Sequence, residues 1–112
     1  MVAYLRGGRF FREGNYADAV MNFEKCLQHP KFNNELIFSY YRQALCAAGR
    51  ADNGHKYLIK ACEAYEKEGW IFRDEFTFNL AKNTIDALKH TNELLGFNIG
   101  NEYFNKQLYL RK

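Results

Sequence analysis

The residue types best suited to metal binding or nucleophilic chemistry are three cysteines and three histidines. Zinc sites draw their ligands from closely spaced pairs of Cys or His, and two such pairs complete a tetrahedral set. Cys26 and His29 have that spacing, but the sequence contains no second pair at zinc-ligand distance. We therefore expect no metal site and no cofactor. Cys26, Cys46 and Cys62 are expected to be small, buried or half-buried thiols in a reducing compartment.

Patterns for catalysis and for nucleotide binding are also missing from the sequence. There is no Gly-x-x-x-x-Gly-Lys-Ser/Thr loop, and the adjacent Gly7 and Gly8 lie inside a predicted helix rather than after a strand. The carboxylates of Glu63, Glu66 and Glu68 alternate with lysines, a pattern typical of a solvent-exposed helix face. These observations predict that the protein is not an enzyme.

The net charge of +3 is concentrated at the start of the chain, where three arginines and no acidic residue lie between Met1 and Arg12. Three arginines supply fewer cations than a nucleic-acid site with about six phosphate contacts requires. The sequence shows no apolar run near the ~20 residues that span a bilayer. Its first aromatic residues continue directly into a helical pattern instead of a cleavable leader. We expect a soluble, cytoplasmic protein with no membrane partner and with nucleic acid as the less favoured partner.

Helical periodicity covers most of the chain, and one proline and few β-branched residues favour an all-α fold. Turn residues and N-cap residues divide the pattern into segments. The predicted helices cover residues 2–13, 16–29, 35–48, a segment from the N-cap Asp52 or Asn53 to Glu68, and 74–95. A turn is predicted at Gly49–Ala51, and a last short helix capped by Asn101 is predicted to run through Tyr103, Phe104, Leu108 and Tyr109.

The stretch from Gly14 to Cys26 has the most specific spacing. Tyr16 opens a helix whose small and aromatic residues recur at the spacing of one buried face. The members of that face are Ala19, Val20, Phe23 and Cys26. Together with the small residue at Gly14, this pattern resembles the second half of a tetratricopeptide repeat (TPR), a helix-turn-helix unit.

Two further comparisons within the sequence extend the resemblance. Gly7 and Phe10 fall on the first-helix Gly and aromatic positions of the family, although Arg6 stands where the family has a large apolar residue. A shift of 35 positions carries Gly14 to Gly49 and Phe23 to Leu58, and also Ala19 to Gly54. The chain therefore resembles two degenerate repeats followed by an altered end.

The resemblance implies an all-α fold of antiparallel helical hairpins, stacked as a short right-handed solenoid with a long C-terminal capping helix. All 112 residues would form one domain. Repeat 1 would cover about residues 1–33 and repeat 2 about residues 34–69. A capping helix or altered third repeat would cover about residues 70–112.

The resemblance also implies a function, because the first helices of successive TPR hairpins line a concave groove that binds a peptide or a partner helix. The chain would be a protein–protein interaction module of the adaptor, co-chaperone or regulator type. The residues that the resemblance places at this groove are Tyr4, Phe11, Arg12, Ser39, Gln43, Ala47, Phe78 and Lys82, with Gly8 and Asp74 beside them. Tyr4, Gly8 and Tyr40 stand where the carboxylate-clamp subclass has Lys or Asn, so that clamp is not predicted.

Two alternatives to peptide binding remain open from the sequence. A short repeat array has open ends and an aromatic tail, so the chain could be a self-assembling structural protein and a homo-oligomer. A cluster of Arg6, Arg9 and Arg12 beside aromatic residues could instead contact a nucleic acid.

Overall fold

Five α-helices form most of the described chain, each packed against the next in sequence. In this computed structural model, residues 2–29, 31, 35–52, 54–96 and 107–110 are described. The helices are α1 (Val2–Glu13), α2 (Tyr16–Leu27), α3 (Glu35–Ala51), α4 (His55–Lys67) and α5 (Glu75–Leu95). In addition to these sequential contacts, α3 packs against α5. The all-α prediction is confirmed, and none of the described helices is long and apolar enough to cross a membrane.

The predicted buried face of α2 forms one side of the core. Its members Ala19, Val20, Phe23 and Cys26 are each no more than 4% exposed. The core continues across α3, α4 and α5, whose buried apolar residues in the same cluster are Ala44, Leu45, Cys46, Ala48, Leu58, Ala61, Cys62, Tyr65, Ala81 and Leu88. Many of these side chains are small, which allows neighbouring helices to approach closely.

The ring of Phe23 joins α1, α2 and α3. A Cβ atom at Gly7 would lie 2.7 Å from Phe23 Cε1, so the glycine lets α1 rest directly on this ring. From α3, the Tyr40 ring stacks on Phe23 with centroids 6.1 Å apart and planes 16° apart. From α1, the Tyr4 ring lies 6.4 Å from Phe23. The predicted burial of Phe23 among the first three helices is confirmed, since its exposure is 1%.

The first chain reversal follows the sequence pattern closely. Gly14 ends α1 with φ of +84°, a left-handed conformation that glycine adopts without Cβ strain. Asn15 occupies the N-cap position of α2, as predicted, but its side chain makes no capping hydrogen bond. The helix ends at Leu27, two residues before the predicted end at His29.

The predicted turn at Gly49–Ala51 is wrong, because α3 continues to Ala51. Gly49 is buried, and a Cβ atom there would lie 2.6 Å from Leu58 Cγ, so this glycine permits close packing of α3 on α4. Gly54 occupies the N-cap position of α4 and therefore lies outside the buried face that the 35-residue shift assigns to it. The sequence instead predicted Asp52 or Asn53 as this N-cap: Asp52 lies two residues before Gly54, and Asn53 lies outside the described residues.

The last predicted helix is also wrong where the structure describes it. Tyr109 belongs to a strand, β2 (Tyr109–Leu110), which pairs in parallel with β1 (Ile71–Phe72) in the register Ile71–Tyr109 and Phe72–Leu110. Leu108 packs against the core, and the Tyr109 N–H donates to the Trp70 carbonyl at 3.0 Å. The apolar tail therefore packs back on the fold through a short strand, while Asn101, Tyr103 and Phe104 lie outside the described residues.

A strained turn leads from α4 to β1. Gly69 and Trp70 both have positive φ, at 69° and 62°. The left-handed conformation costs a residue with a Cβ about 1–2 kcal/mol. Trp70 is only 4% exposed and its ring lies 6.2 Å from that of Tyr65, so burial of the indole offsets this cost.

The adjacent glycines of α1 offer a matched test of the packing. Alanine at Gly8 would meet only the Arg12 guanidinium, at 3.5 Å, so Gly8→Ala should stabilise the protein by about 0.5–1 kcal/mol through helix propensity. Alanine at Gly7 would press on the Phe23 ring, and overpacking costs about 1–3 kcal/mol. We expect Gly7→Ala to lower the free energy of unfolding in urea. A Gly7→Ala protein as stable as Gly8→Ala would show that α1 does not rest on Phe23.

The N-cap of α5 gives a second stability prediction. Asp74 Oδ1 accepts the Thr77 N–H at 2.7 Å, and this bond to the backbone lowers the pKa of the Asp74 carboxyl. Asp74→Ala should cost about 0.5–2 kcal/mol, whereas Asp74→Asn keeps an acceptor and should cost less. The native pKa lies below the ordinary value of 3.8. The stability that the charged cap contributes is therefore fully present above this pH and is lost as the pH falls through the native pKa.

Thermal melts at pH 7 and pH 3 would measure this effect. The difference in stability between wild type and Asp74→Asn should shrink at the lower pH. An equal difference at both pH values would contradict a role for the charged cap.

Candidate partner-binding site

An open cleft of about 190 Å³ lies between α1 and α3. It is lined by Tyr4, Leu5, Gly8, Phe11, Arg12, Phe23 and Tyr40, and we call it the aromatic cleft. Its walls are held by ring contacts: Tyr4 meets Tyr40 edge-on with centroids 6.1 Å apart, and Phe11 meets Tyr16 edge-on at 5.4 Å. The Tyr4–Tyr40 contact joins α1 to α3 at the cleft, and the Phe11–Tyr16 contact joins α1 to α2.

The polar groups of the aromatic cleft have no partners among the described residues. Arg12 is exposed and makes no ion pair there, whereas the neighbouring Arg9 pairs with Glu13 at 3.8 Å. The hydroxyls of Tyr4 and Tyr40 likewise make no hydrogen bond to any described side chain or backbone group. The cleft therefore presents one guanidinium and two hydroxyls beside an apolar floor.

A second cleft, of about 480 Å³, lies between the first turns of α3 and α5 and beside β1. It is lined by Glu35, Leu36, Ser39, Arg42, Glu68, Ile71, Phe72, Arg73, Asp74 and Thr77, and we call it the polar cleft. Arg73 Nη2 lies 2.5 Å from Glu35 Oε1 across its mouth. Its charged groups are thus largely paired with one another.

Arg42 lies at the base of the polar cleft and is only 6% exposed. Its guanidinium lies over the rings of Phe38 and Tyr65, 5.0 Å and 5.2 Å from their centroids, and Nη1 donates to the Glu68 carboxylate. Nε has no hydrogen-bond partner among the described residues. A buried guanidinium is costly unless paired, so Glu68 and the two rings keep it in place and attach α3 to the end of α4.

One exposed face of α3 joins the two clefts. Leu36 lines the polar cleft and Tyr40 lines the aromatic cleft, and residues four apart lie side by side on a helix. Both are exposed, by 58% and 38%. An apolar ridge therefore connects the two clefts.

The structure brings together only part of the predicted groove. Tyr4, Phe11 and Arg12 meet in the aromatic cleft, as the sequence predicts, with Gly8 between them. Ser39, also predicted for the groove, lies in the polar cleft, and so does Asp74, which was predicted beside the groove.

The other predicted residues contribute less to an open surface. Gln43 and Ala47 are half-buried, and Gln43 Nε2 donates to Ser39 Oγ at 3.5 Å. Phe78 packs against the core, with its ring 5.9 Å from that of Phe72. Lys82 Nζ lies over the outer side of the Phe78 ring, 5.5 Å from its centroid.

Sequence reasoning missed several residues that line the two clefts, and four of them matter most to the shape of the clefts. Leu5, Phe23 and Tyr40 line the aromatic cleft, and Arg42 anchors the polar cleft. The periodicity puts Leu36 and Tyr40 on a second apolar face of α3, which was the available signal for that ridge. Arg42 follows Phe38 by four residues, so the two side chains share one face of α3. This spacing of an arginine and an aromatic residue was the available signal for the guanidinium–ring contact.

The thiols have the character of core residues. Cys26, Cys46 and Cys62 are all free and buried, as the sequence predicts. Thr84 Oγ1 donates to Cys46 Sγ at 2.9 Å, and Tyr65 Oη lies 3.8 Å from the same sulfur. Burial raises the pKa of all three thiols, that of Cys62 to about 12, so they stay protonated and unreactive at neutral pH.

Two of the three histidines make side-chain hydrogen bonds within the described fold. His55 Nε2 is 2.6 Å from Asn92 Oδ1 and thereby links the start of α4 to the end of α5. His29 Nδ1 accepts the Lys31 N–H at 3.3 Å. Within the ranges that the structure covers, no group of three or more His, Cys, Asp or Glu side chains could hold a metal ion.

Thiol reactivity at pH 8 tests the packing of α3 on α4. Native protein should react slowly with a disulfide-forming chromogenic reagent, because Cys46 and Cys62 are buried and protonated. All three cysteines should react at once in denaturant. Fast reaction of Cys46 or Cys62 in the native protein, identified by mass spectrometry after alkylation, would contradict the described core.

Comparison with known proteins leaves the interpretation to the geometry of the chain itself. No family model, no curated protein and no solved structure matches it.

Proposed function

We propose that this chain is a TPR-like protein-interaction module that binds a peptide or a helix of another protein across α1, α3 and α5. The aromatic cleft is the observation that carries this proposal. Tyr, Trp and Arg dominate the hot spots of protein interfaces. The cleft presents two tyrosine hydroxyls and an arginine guanidinium that make no hydrogen bond or ion pair with the described residues. Binding of a partner would satisfy these groups.

The packing order supports a TPR-like arrangement of hairpins. Each helix packs on the next, and α3 also contacts α5, as expected when the first helices of successive hairpins are neighbours. At the preceding step, α1 and α3 meet through the ring contact of Tyr4 with Tyr40. In this interpretation α1, α3 and α5 line a concave surface of a right-handed solenoid, and α5 is its capping helix.

The chemistry of the described clefts is that of recognition. The aromatic cleft offers rings, hydroxyls and a guanidinium, and the charges of the polar cleft are held in the pairs Arg42–Glu68 and Arg73–Glu35. The three free thiols fit a reducing compartment, which supports a cytoplasmic location. An adaptor, co-chaperone or regulator role agrees with these features.

Self-assembly is a second candidate, favoured by exposed apolar side chains on α5. Phe76 is 65% exposed and Leu94 is 72% exposed, near opposite ends of that helix. Light scattering after size exclusion should report a monomer if α5 is a capping helix. A dimer that dissociates on Phe76→Glu or Leu94→Glu substitution would instead favour self-assembly through this helix.

The proposed function predicts that substitutions in the aromatic cleft remove partners without unfolding the protein. Two cleft variants are compared with wild type: the single variant Arg12→Ala and the double variant Phe11→Ala, Arg12→Ala. Both should recover fewer partners from a cell extract, because hot-spot truncations cost about 1–3 kcal/mol of affinity. Arg50→Ala is the matched control, since Arg50 is equally an exposed arginine but lines neither cleft.

Thermal melts must first show that all variants fold alike. Loss of the same bound proteins, identified by mass spectrometry, from the two cleft variants and not from Arg50→Ala is the expected result. Identical recovery by all four proteins would place the interaction face elsewhere and contradict the proposal. An unfolded Phe11→Ala, Arg12→Ala protein would leave the single Arg12→Ala variant to decide.

A further inference from the structure

We propose that the aromatic cleft receives one large apolar side chain of the partner, and that a carboxylate of the same partner pairs with Arg12. This inference rests on the proposed function and specifies its ligand. The expected partner segment therefore carries an aromatic or large aliphatic residue with an Asp or Glu close to it.

The size of the cleft sets the size of its occupant. Small-molecule and cofactor sites typically enclose about 300–1,000 Å³. The aromatic cleft encloses about 190 Å³, which is too small for such a ligand. It corresponds to about six water molecules at ~30 Å³ each, the scale of a single bulky side chain. The rings of Tyr4, Phe11, Phe23 and Tyr40 make most of its wall apolar, so an apolar side chain fits it best.

Gly8 keeps this cleft open, and the fold does not otherwise require a glycine there. An interior helical glycine costs about 1 kcal/mol relative to alanine. Gly7 has a packing reason, because a Cβ would collide with Phe23, whereas a Cβ at Gly8 would make only an ordinary contact with Arg12 Nη1. A longer side chain at position 8 would instead occupy the cleft. The open space above Gly8 is thus maintained at a cost to helix stability.

The positive charge of Arg12 at the cleft favours an acidic residue next to the partner's apolar side chain. Among the described residues, no acidic side chain lines the cleft and none forms an ion pair with Arg12. The one acidic side chain of α1, Glu13, lies against Arg9 at 3.8 Å. The hydroxyls of Tyr4 and Tyr40 can donate to the same carboxylate or to a backbone carbonyl of the partner.

The test is selection from a random peptide library displayed on phage, with wild-type protein as bait. Gly8→Leu is the blocking variant, because a long side chain at this helix position fills the cleft. Arg50→Leu is the matched control, since it places the same leucine on an exposed helix position that lines neither cleft. Circular dichroism melts should show that both variants fold, since leucine is a good helix former.

Wild type and Arg50→Leu should enrich peptides with an aromatic or large aliphatic residue and a nearby Asp or Glu. A synthetic peptide from this set should bind Gly8→Leu at least about tenfold more weakly, as expected for loss of one hot-spot contact. The Arg12→Glu substitution should weaken binding of the acidic peptide by a similar factor. Replacing the acidic residue of the peptide by lysine should restore binding to Arg12→Glu, an effect that unfolding of the variant cannot produce.

The failures of the two proposals are distinguishable. Enriched peptides that bind wild type and Gly8→Leu equally would overturn the anchor proposal while leaving a peptide-binding function in place. Enriched peptides whose affinity drops in Gly8→Leu but not in Arg12→Glu would overturn the carboxylate pairing. No enrichment on any folded bait would contradict both this inference and the proposed peptide-binding function.

Discussion

The contact of the Phe23 ring with the backbone of Gly7 is the constraint on which the rest of the described structure depends. It sets how closely α1 approaches α2, because any side chain at position 7 would collide with the ring. The same ring stacks on Tyr40 and so fixes α3 relative to α1. Phe23 is thereby both a core residue, 1% exposed, and the floor of the aromatic cleft. The shape of the proposed site and the stability of the fold therefore both depend on the Phe23 side chain.

A second interaction organises the other half of the molecule. Arg42 is buried between Phe38 and Tyr65 and is paired with Glu68, so it ties α3 to the end of α4. Immediately after Glu68, the strained turn at Trp70 directs the chain into β1 and on to α5. Removal of one partner from a buried charge pair is destabilising because the other charge is left unpaired. The polar cleft is the external side of this arrangement, and the Leu36–Tyr40 ridge links it to the aromatic cleft.

The sequence predicted the first hairpin well, because its signals are local. Turn chemistry at Gly14 and periodicity in α2 identify the reversal and the buried face without knowledge of the partners. Gly49 misled the same reasoning, since the sequence does not reveal whether a glycine serves a turn or a close helix contact until Leu58 is placed beside it. Tyr109 was assigned to a helix because its pairing with Ile71 is 38 residues distant and leaves no periodic trace. Of the residues predicted for the groove, Tyr4, Phe11 and Arg12 line one cleft, because they lie close together on α1, whereas Tyr40 joins them only through packing across helices.

The most direct test of the central claim is the free energy of unfolding of Phe23→Ala, measured in urea against wild type. If one ring joins three helices, truncation leaves a cavity where α1, α2 and α3 meet and should cost about 3–5 kcal/mol, most of the stability of so small a protein. A cost below about 1 kcal/mol would be typical of a surface substitution and would contradict the account.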